Sequence, residues 1–384
     1  MKPIRVLHCL EATIGGTARH LEEAVLYLPP RGVEVTAVVS PVRDPEYPAR
    51  LAALGRGGTR VHSLPMRRAI RPFCDAAAFR TLKRILREEA PDLVHTHASK
   101  AGFLGRFAAR QCGIPVVHTP HVFPMEWAHG LSKGIYGALE RLAARRTDRL
   151  VVLNEEQAVL AREALRIPEA RLVLVPNGVD AARFAPPDAE ARKCIRREMG
   201  LNESTRVVGT AGRLAPQKAV EDFLEVAWEV RAIYPYAIFL IAGSGSLEGA
   251  LQARVREMKL VDTIRFLGEV KDPVRFYRAL DVFVLTSLWE GMPYTILEAQ
   301  ASGLPVVATS TTGACALIEP GITGTLAPVK DVEALASAVC TYLSDPLLRS
   351  RIGQNARRQV LEHFTVEQWA DSLCRVYRSL LAGR

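Results

Sequence analysis

Long apolar runs are missing from this chain of 384 residues: no stretch approaches the roughly 18 residues that cross a bilayer as a helix. The opening MKPIRVLHCL is too short for a secretory leader, and no small-residue cleavage site follows it. The seven cysteines stand at 9, 74, 112, 194, 315, 340 and 374, and none forms a C-x-x-C pair or other close metal-type spacing. An odd, scattered set suits a reducing compartment. Low-complexity tracts are absent, which argues against disorder. Aromatics are only 7% and do not interleave with any basic patch, which argues against a nucleic-acid binder. No Asp-x-Asp triplet occurs, so no bound metal is expected. These absences predict a cytoplasmic protein, at most peripheral on the inner face of a membrane.

What is present is ordinary for a globular chain of two or three domains: 48% hydrophobic and 24% charged residues. The formal net charge of +9 favours anionic partners, phosphorylated substrates or a membrane surface among them. An Arg-, Ala-, Leu- and Pro-rich genome would give the same excess.

Short β-branched runs alternate with helix-like segments. Strands are predicted at Ile4–Leu10, Val33–Val39, Leu93–Thr96, Pro115–His118 and Arg149–Leu153, with a helix at Ala18–Leu28. The pattern breaks at the turn cluster Pro176–Asp180, followed by Pro186–Pro187. A second series then runs through Arg206–Ala211, Ala237–Ala242, Ile264–Leu267, Val282–Leu285 and Pro305–Ala308. The halves open alike, each with a strand, a glycine-bearing loop and a helix. The expectation is an α/β chain of two doubly wound domains, 1–180 and 181–365, with a ligand cleft between them. A terminal helix at about 366–384, with Trp369, Leu373, Val376, Tyr377 and Leu380 on one face, is expected to pack back on the first domain.

Ligands of such sheets bind beyond the carboxyl ends of the strands, so the following loops carry the chemistry. Gly212-Arg213-Leu214-Ala215-Pro216-Gln217-Lys218 puts two cations five residues apart at a helix start, where backbone N–H groups also favour an anion. Two solvated cations beside a turn would look the same. Glu290-Gly291-Met292-Pro293-Tyr294-Thr295-Ile296-Leu297-Glu298 sets two carboxylates about a helix start, and carboxylates accept hydrogen bonds from vicinal hydroxyls. Either motif alone is weak.

Together, and followed by Ala-Ser-Gly-Leu-Pro-Val-Val-Ala, they resemble the family 4 retaining glycosyltransferases most strongly from Arg206 to Leu326. The resemblance implies the GT-B fold, two facing Rossmann-like domains with an interdomain cleft. It implies transfer of a sugar from a nucleotide-sugar, a UDP-sugar by default, to a saccharide or polyprenyl-linked acceptor in surface or exopolysaccharide biosynthesis. By matched position, Arg213 and Lys218 hold the diphosphate, Glu290 the sugar hydroxyls and Glu298 the ribose. Backbone from Met292 through Pro293 and Tyr294 to Thr295 adds phosphate contacts. Gly15, Gly16, Gly212, Gly243, Leu267 and Gly291 complete the donor set, and His121 stands near the transferred sugar. His95, His97 and His118 are neighbouring candidates, and Lys100 has no assigned role.

Two positions depart from the family pattern: Ala219 stands where glycine is usual, and Ala316 where a glutamate is. Alanine at a position needing positive φ would be strained. A nucleotide-sugar epimerase is the alternative reading. The run Gly243-Ser-Gly-Ser-Leu-Glu-Gly249 loosely resembles a dinucleotide fingerprint and raises an NAD-dependent dehydrogenase. Two basic clusters, Arg67, Arg68 and Arg71, and Arg141, Arg145, Arg146 and Arg149, with Phe123, Met125, Trp127 and Leu131, form a candidate membrane-docking surface.

Overall fold

The computed structural model describes residues 2–383 except 56 and 129. Two units emerge from the packing: Met1–Asn177 with Val366–Arg384, and Gly178–Thr365.

The first unit runs β1 (Ile4–Leu10), α1 (Gly16–Tyr27), β2 (Val33–Val39), α2 (Tyr47–Leu54), β3 (Arg60–Ser63), α3 (Pro72–Glu89), β4 (Leu93–His97), α4 (Ser99–Gln111), β5 (Val116–Thr119), α5 (Pro124–Trp127), α6 (Gly130–Ala144), β6 (Arg149–Val152), α7 (Glu155–Glu163) and β7 (Leu172–Leu174). Its strands form one parallel sheet in the order β3-β2-β1-β4-β5-β6-β7. The order reverses direction between β1 and β4. Both faces are covered, so β4 and β5 and the second part of β1 are buried at successive residues rather than alternating, their histidines and threonines included.

The second unit runs α8 (Ala189–Glu198), β8 (Val207–Ala211), α9 (Val220–Ile233), β9 (Ile238–Ala242), α10 (Glu248–Glu257), β10 (Ile264–Gly268), α11 (Pro273–Ala279), β11 (Val282–Leu285), α12 (Tyr294–Ala301), β12 (Val306–Thr309), α13 (Thr312–Cys315), β13 (Gly324–Ala327), α14 (Val332–Ser344) and α15 (Pro346–His363). Its parallel sheet has the order β10-β9-β8-β11-β12-β13, with the switch point between β8 and β11. The edge strands β3, β7 and β13 were not predicted; all are short, and none is wholly buried, so their apolar signal is weak.

The last helix, α16 (Val366–Ala382), belongs to the first unit. Trp369, Leu373, Val376, Tyr377 and Leu380 are all buried in the core that also holds Val6, Leu21, Val35 and Val151. The spacing of these five is that of one helical face, and burial of large side chains such as these stabilises by about 1.5–3 kcal/mol each.

Helix α6 is clamped by a buried ion pair: Arg106 of α4 lies 2.7 Å from Glu140, both nearly excluded from solvent. Lys100 has its role here too, since its Nζ lies 2.6 Å from Asp75 and ties α4 to α3. No described helix is long and apolar enough to cross a membrane.

Candidate active site

In the second unit the loops after β8 and β11 flank the switch point, as the sequence expectation requires. The β8 loop is held to the β11 loop by Gln217, whose Nε2 donates to Trp289 O (2.9 Å) and whose carbonyl accepts from Leu288 N (2.8 Å). Thr286 Oγ1 reaches the carbonyls of Lys218 and Ala219, each at 2.9 Å. These bonds bring Lys218 against Glu290: Nζ lies 2.5 Å from Oε1, and Ser287 Oγ donates to the same oxygen at 2.6 Å. Gln217, Thr286 and Ser287 were absent from the sequence-based site. Their signal is only their place in the loops after two adjacent strands, which becomes visible once β8 and β11 are known to pair.

Glu298 follows Glu290 in the chain, on the next helix. It is buried on α12 and accepts from Tyr277 OH at 2.7 Å. Pro293 caps α12, so Tyr294 and Thr295 are its first residues and Met292 stands just before the cap. Thr295 Oγ1 is buried with no hydrogen-bond partner among the described residues. Arg213 is exposed beside Gly212, and Leu267 is half-buried in β10.

Loop packing explains several glycines of this unit. Gly243 has φ 132°, and a Cβ there would stand 1.9 Å from Gly212 O; one at Gly245 would stand 2.3 Å from Leu214 O. Gly243 and Gly245 therefore permit close packing beside the β8 loop, with Leu214 N donating to Ser244 O at 2.9 Å. Likewise a Cβ at Gly313 would meet Gly291 at 2.6 Å, while Gly313 N donates to Glu290 O at 3.0 Å. Ala219 has φ 44°, so the glycine-to-alanine departure does fall on a left-handed residue.

In the first unit Gly15 has φ 67° and caps α1, whose first residue is Gly16. His121 lies in the loop after β5, also at positive φ (61°), with its carbonyl accepting from Gln157 Nε2 at 3.0 Å. Six of the nine histidines (8, 20, 95, 97, 118 and 121) are buried here. Burial pulls their pKa values down, His8 to about 3 and His20 to about 4, and His95, His97, His118 and His121 well below the usual value. These rings are neutral at pH 7. Neighbouring Glu126 accepts from Phe123 N at 2.7 Å, and burial pushes its pKa up to about 7.

The membrane-docking set needs correction. Phe123 and Met125 are core residues, buried because the turn carrying them packs against β6 and α7. Arg68 stacks on Trp127 and Arg146 on Phe107, and Arg149 is half-buried. Leu131 is 90% exposed and shares an outward face of α6 with Ile135 and Leu142. Arg141 and Arg145 instead line a cleft of about 570 Å³ with Arg166 and Arg171, two residues not foreseen. It lies where chain enters β6 and β7, at the opposite end of the parallel strands from Gly15 and His121.

Known proteins share both halves of this architecture. The model described as Glycosyltransferase Family 4 matches residues 14–183, and that described as Glycosyl transferases group 1 matches residues 191–359. The UDP-Gal:alpha-D-GlcNAc-diphosphoundecaprenol alpha-1,3-galactosyltransferase of Escherichia coli is 34% identical over 315 residues, 81% of each chain. The putative glycosyltransferase EpsD of Bacillus subtilis is 28% identical over 80% of this chain and 83% of its own. Anabaena HepE, solved with UDP-glucose, superposes with a TM-score of 0.82 at 19% identity, over 98% of this chain and all of that one. The epimerase and dehydrogenase readings find no support, and the glycine run that prompted the latter is occupied in loop packing. With two parallel-sheet units, paired loops at the switch point of the second and this relatedness along most of its length, the chain belongs to the family 4 glycosyltransferases and has their GT-B fold.

Proposed function

We propose that the enzyme transfers a hexosyl group from a UDP-sugar to a polyprenyl-diphosphate-linked saccharide, with retention of anomeric configuration and without a metal. The observation that carries this is the 34% identity to a transferase whose named donor is UDP-Gal and whose named acceptor is a diphosphoundecaprenol-linked GlcNAc. The Lys218–Glu290 pair is consistent with it, being a cation and a hydroxyl acceptor poised together on one side of the switch point.

In this reading Arg213, Lys218 and the start of α12 neutralise the diphosphate as the C1–O bond breaks. The acceptor hydroxyl forms the new C1–O bond on the same face, and its proton passes to the departing phosphate oxygen. Glu290 orients sugar hydroxyls, Glu298 the ribose, and His121 a sugar oxygen. Gly15 and Gly16 let the acceptor and phosphates approach backbone. Gly212, Gly243, Leu267 and Gly291 frame the nucleotide.

The same reading places the enzyme on the cytoplasmic face of a membrane. Leu131, Ile135 and Leu142 offer an apolar stripe, and the cleft arginines would meet lipid phosphates. The test is transfer from a panel of UDP-, GDP- and ADP-sugars to a short-chain polyprenyl-diphosphate saccharide, with EDTA present, and the product anomer read by NMR. Transfer from one UDP-sugar with retention supports the proposal. Binding of no nucleoside diphosphate, inversion, or loss with EDTA would each overturn its corresponding part.

A further inference from the structure

Three of the buried imidazoles form a line. His8 Nδ1 lies 3.0 Å from His97 Nε2, and His97 Nδ1 lies 3.2 Å from His121 Nε2. The rings of His8 and His97 are 6° from parallel with centroids 5.3 Å apart; those of His97 and His121 are 30° and 5.4 Å. Such near-coplanar, end-to-end rings point a proton of one nitrogen at the lone pair of the next. Two ends remain. His8 Nε2 is buried and has no hydrogen-bond partner among the described residues. His121 Nδ1 also makes no hydrogen bond among them, but His121 keeps 7% exposure where His8 and His97 have 0% and 1%.

A neutral imidazole carries one N–H, so the line has only two arrangements. If protons point from His121 toward His8, an N–H of His8 is left in the dry core with nothing to accept it. If they point from His8 toward His121, the core end is a bare lone pair and the unused N–H stands at the one ring that meets solvent. Orphaned buried N–H groups are the rarer and costlier fault. The neighbouring rings do not change the choice: His20 stands edge-on to His121, 85° from its plane, with its Nδ1 3.3 Å from Asn177 Oδ1. His95 spends its nitrogens on Tyr377 OH (2.7 Å) and Thr119 Oγ1 (2.8 Å), and His118 Nδ1 faces Thr96 Oγ1 (2.9 Å).

We infer that His8 and His97 are positioning residues that lock His121 as the Nδ1–H tautomer, so that it meets its ligand as an uncharged hydrogen-bond donor to an oxygen lone pair. That the ligand is the sugar of the donor rests on the function proposed above; the tautomer does not. A metal is the competing use of the cluster, because the ligand nitrogens of His8, His95 and His97, and of His20, His97 and His121, lie within 4.8 Å of one another. The end-to-end ring geometry disfavours it, since those lone pairs aim at protons rather than at a shared centre, and no carboxylate belongs to either group.

The test is ¹⁵N spectroscopy of the full chain labelled at histidine, with the His121 signals identified by loss in His121→Asn. The expected result is a protonated Nδ1 and a bare Nε2 at His121, and mixed tautomers there in His97→Gln. In the same variant, UDP affinity should hold within about twofold while kcat falls by about tenfold, the worth of one misdirected hydrogen bond. A His121 protonated at Nε2 in the wild-type protein would overturn the inference, whether or not His97→Gln folds. So would one equivalent of tightly held zinc by elemental analysis. Failure of every sugar nucleotide to react, with Nδ1–H still observed, would sink the transferase assignment and leave the histidine line standing.

Discussion

Lys218 Nζ and Ser287 Oγ both converge on one oxygen of Glu290, at 2.5 and 2.6 Å. The cation proposed to hold the diphosphate is thus already paired, and in that reading a donor shares or displaces the pair.

Lys218→Ala should lower kcat by about 10²–10³-fold, the effect of removing one preorganised stabiliser of a developing anion. It should also lower stability by about 1–3 kcal/mol, because Glu290 is left as a poorly solvated, unpaired carboxylate. The variant lacking both Lys218 and Glu290 side chains should regain part of that loss. Urea unfolding of the wild type and these two variants checks it; equal stability throughout would show that the pair is solvated in effect.

Ala219→Gly should stabilise the second unit by about 1 kcal/mol, since alanine pays for a left-handed backbone that glycine adopts freely. Thermal unfolding reads it, and a lower midpoint would mean that the α9 start gains more from alanine than the backbone loses.

Gly243→Ala should separate the β8 and β9 loops, because its Cβ would fall 1.9 Å from Gly212 O. Nucleotide affinity should drop more than tenfold, with a stability loss of about 1–3 kcal/mol. Calorimetric titration with UDP that matches wild type would show that the loops can yield.

Acid should unfold the first unit before the second. Its six buried histidines are neutral when folded and have depressed pKa values, while the unfolded chain protonates them near pH 6.5. Their contribution is therefore complete above about pH 6.5 and is lost as pH falls toward the folded values. Each adds a slope of about 1.4 kcal/mol per pH unit in that window. The second unit holds only the exposed His363. Thermal scans at pH 7.5, 6.0 and 5.0 should show one transition falling steeply and the other nearly still. A common, pH-independent transition would contradict the neutral cluster.

Charge reversal at Arg141 and Arg145 should abolish sedimentation with anionic vesicles while sparing transfer to a soluble acceptor analogue. Their cleft lies at the far end of the sheet from the His121 loop, which is why turnover on a soluble acceptor should survive. Unchanged vesicle binding would remove the cleft from the membrane argument, and lost soluble turnover would show that it serves the reaction.

The alternation of apolar strands with helices, the glycine-bearing loops and the face of α16 are local features, so the sequence by itself determined the parallel α/β class, most strands, the loops that hold Lys218 and Glu290 and the helix that holds Glu298. For Ala219 it raised a positive φ only as a condition, which the backbone meets at φ 44°. What only the tertiary structure decided depends on which strands become neighbours. Pairing of β8 with β11 brings Lys218 to Glu290 and recruits Gln217, Thr286 and Ser287, which carry no motif of their own. Pairing of β1 with β4, and β4 with β5, lines up His8 within β1, His97 at the end of β4 and His121 in the loop after β5. Burial of Phe123 and Met125, and the meeting of Arg141 with Arg171, likewise follow from packing that no local spacing encodes.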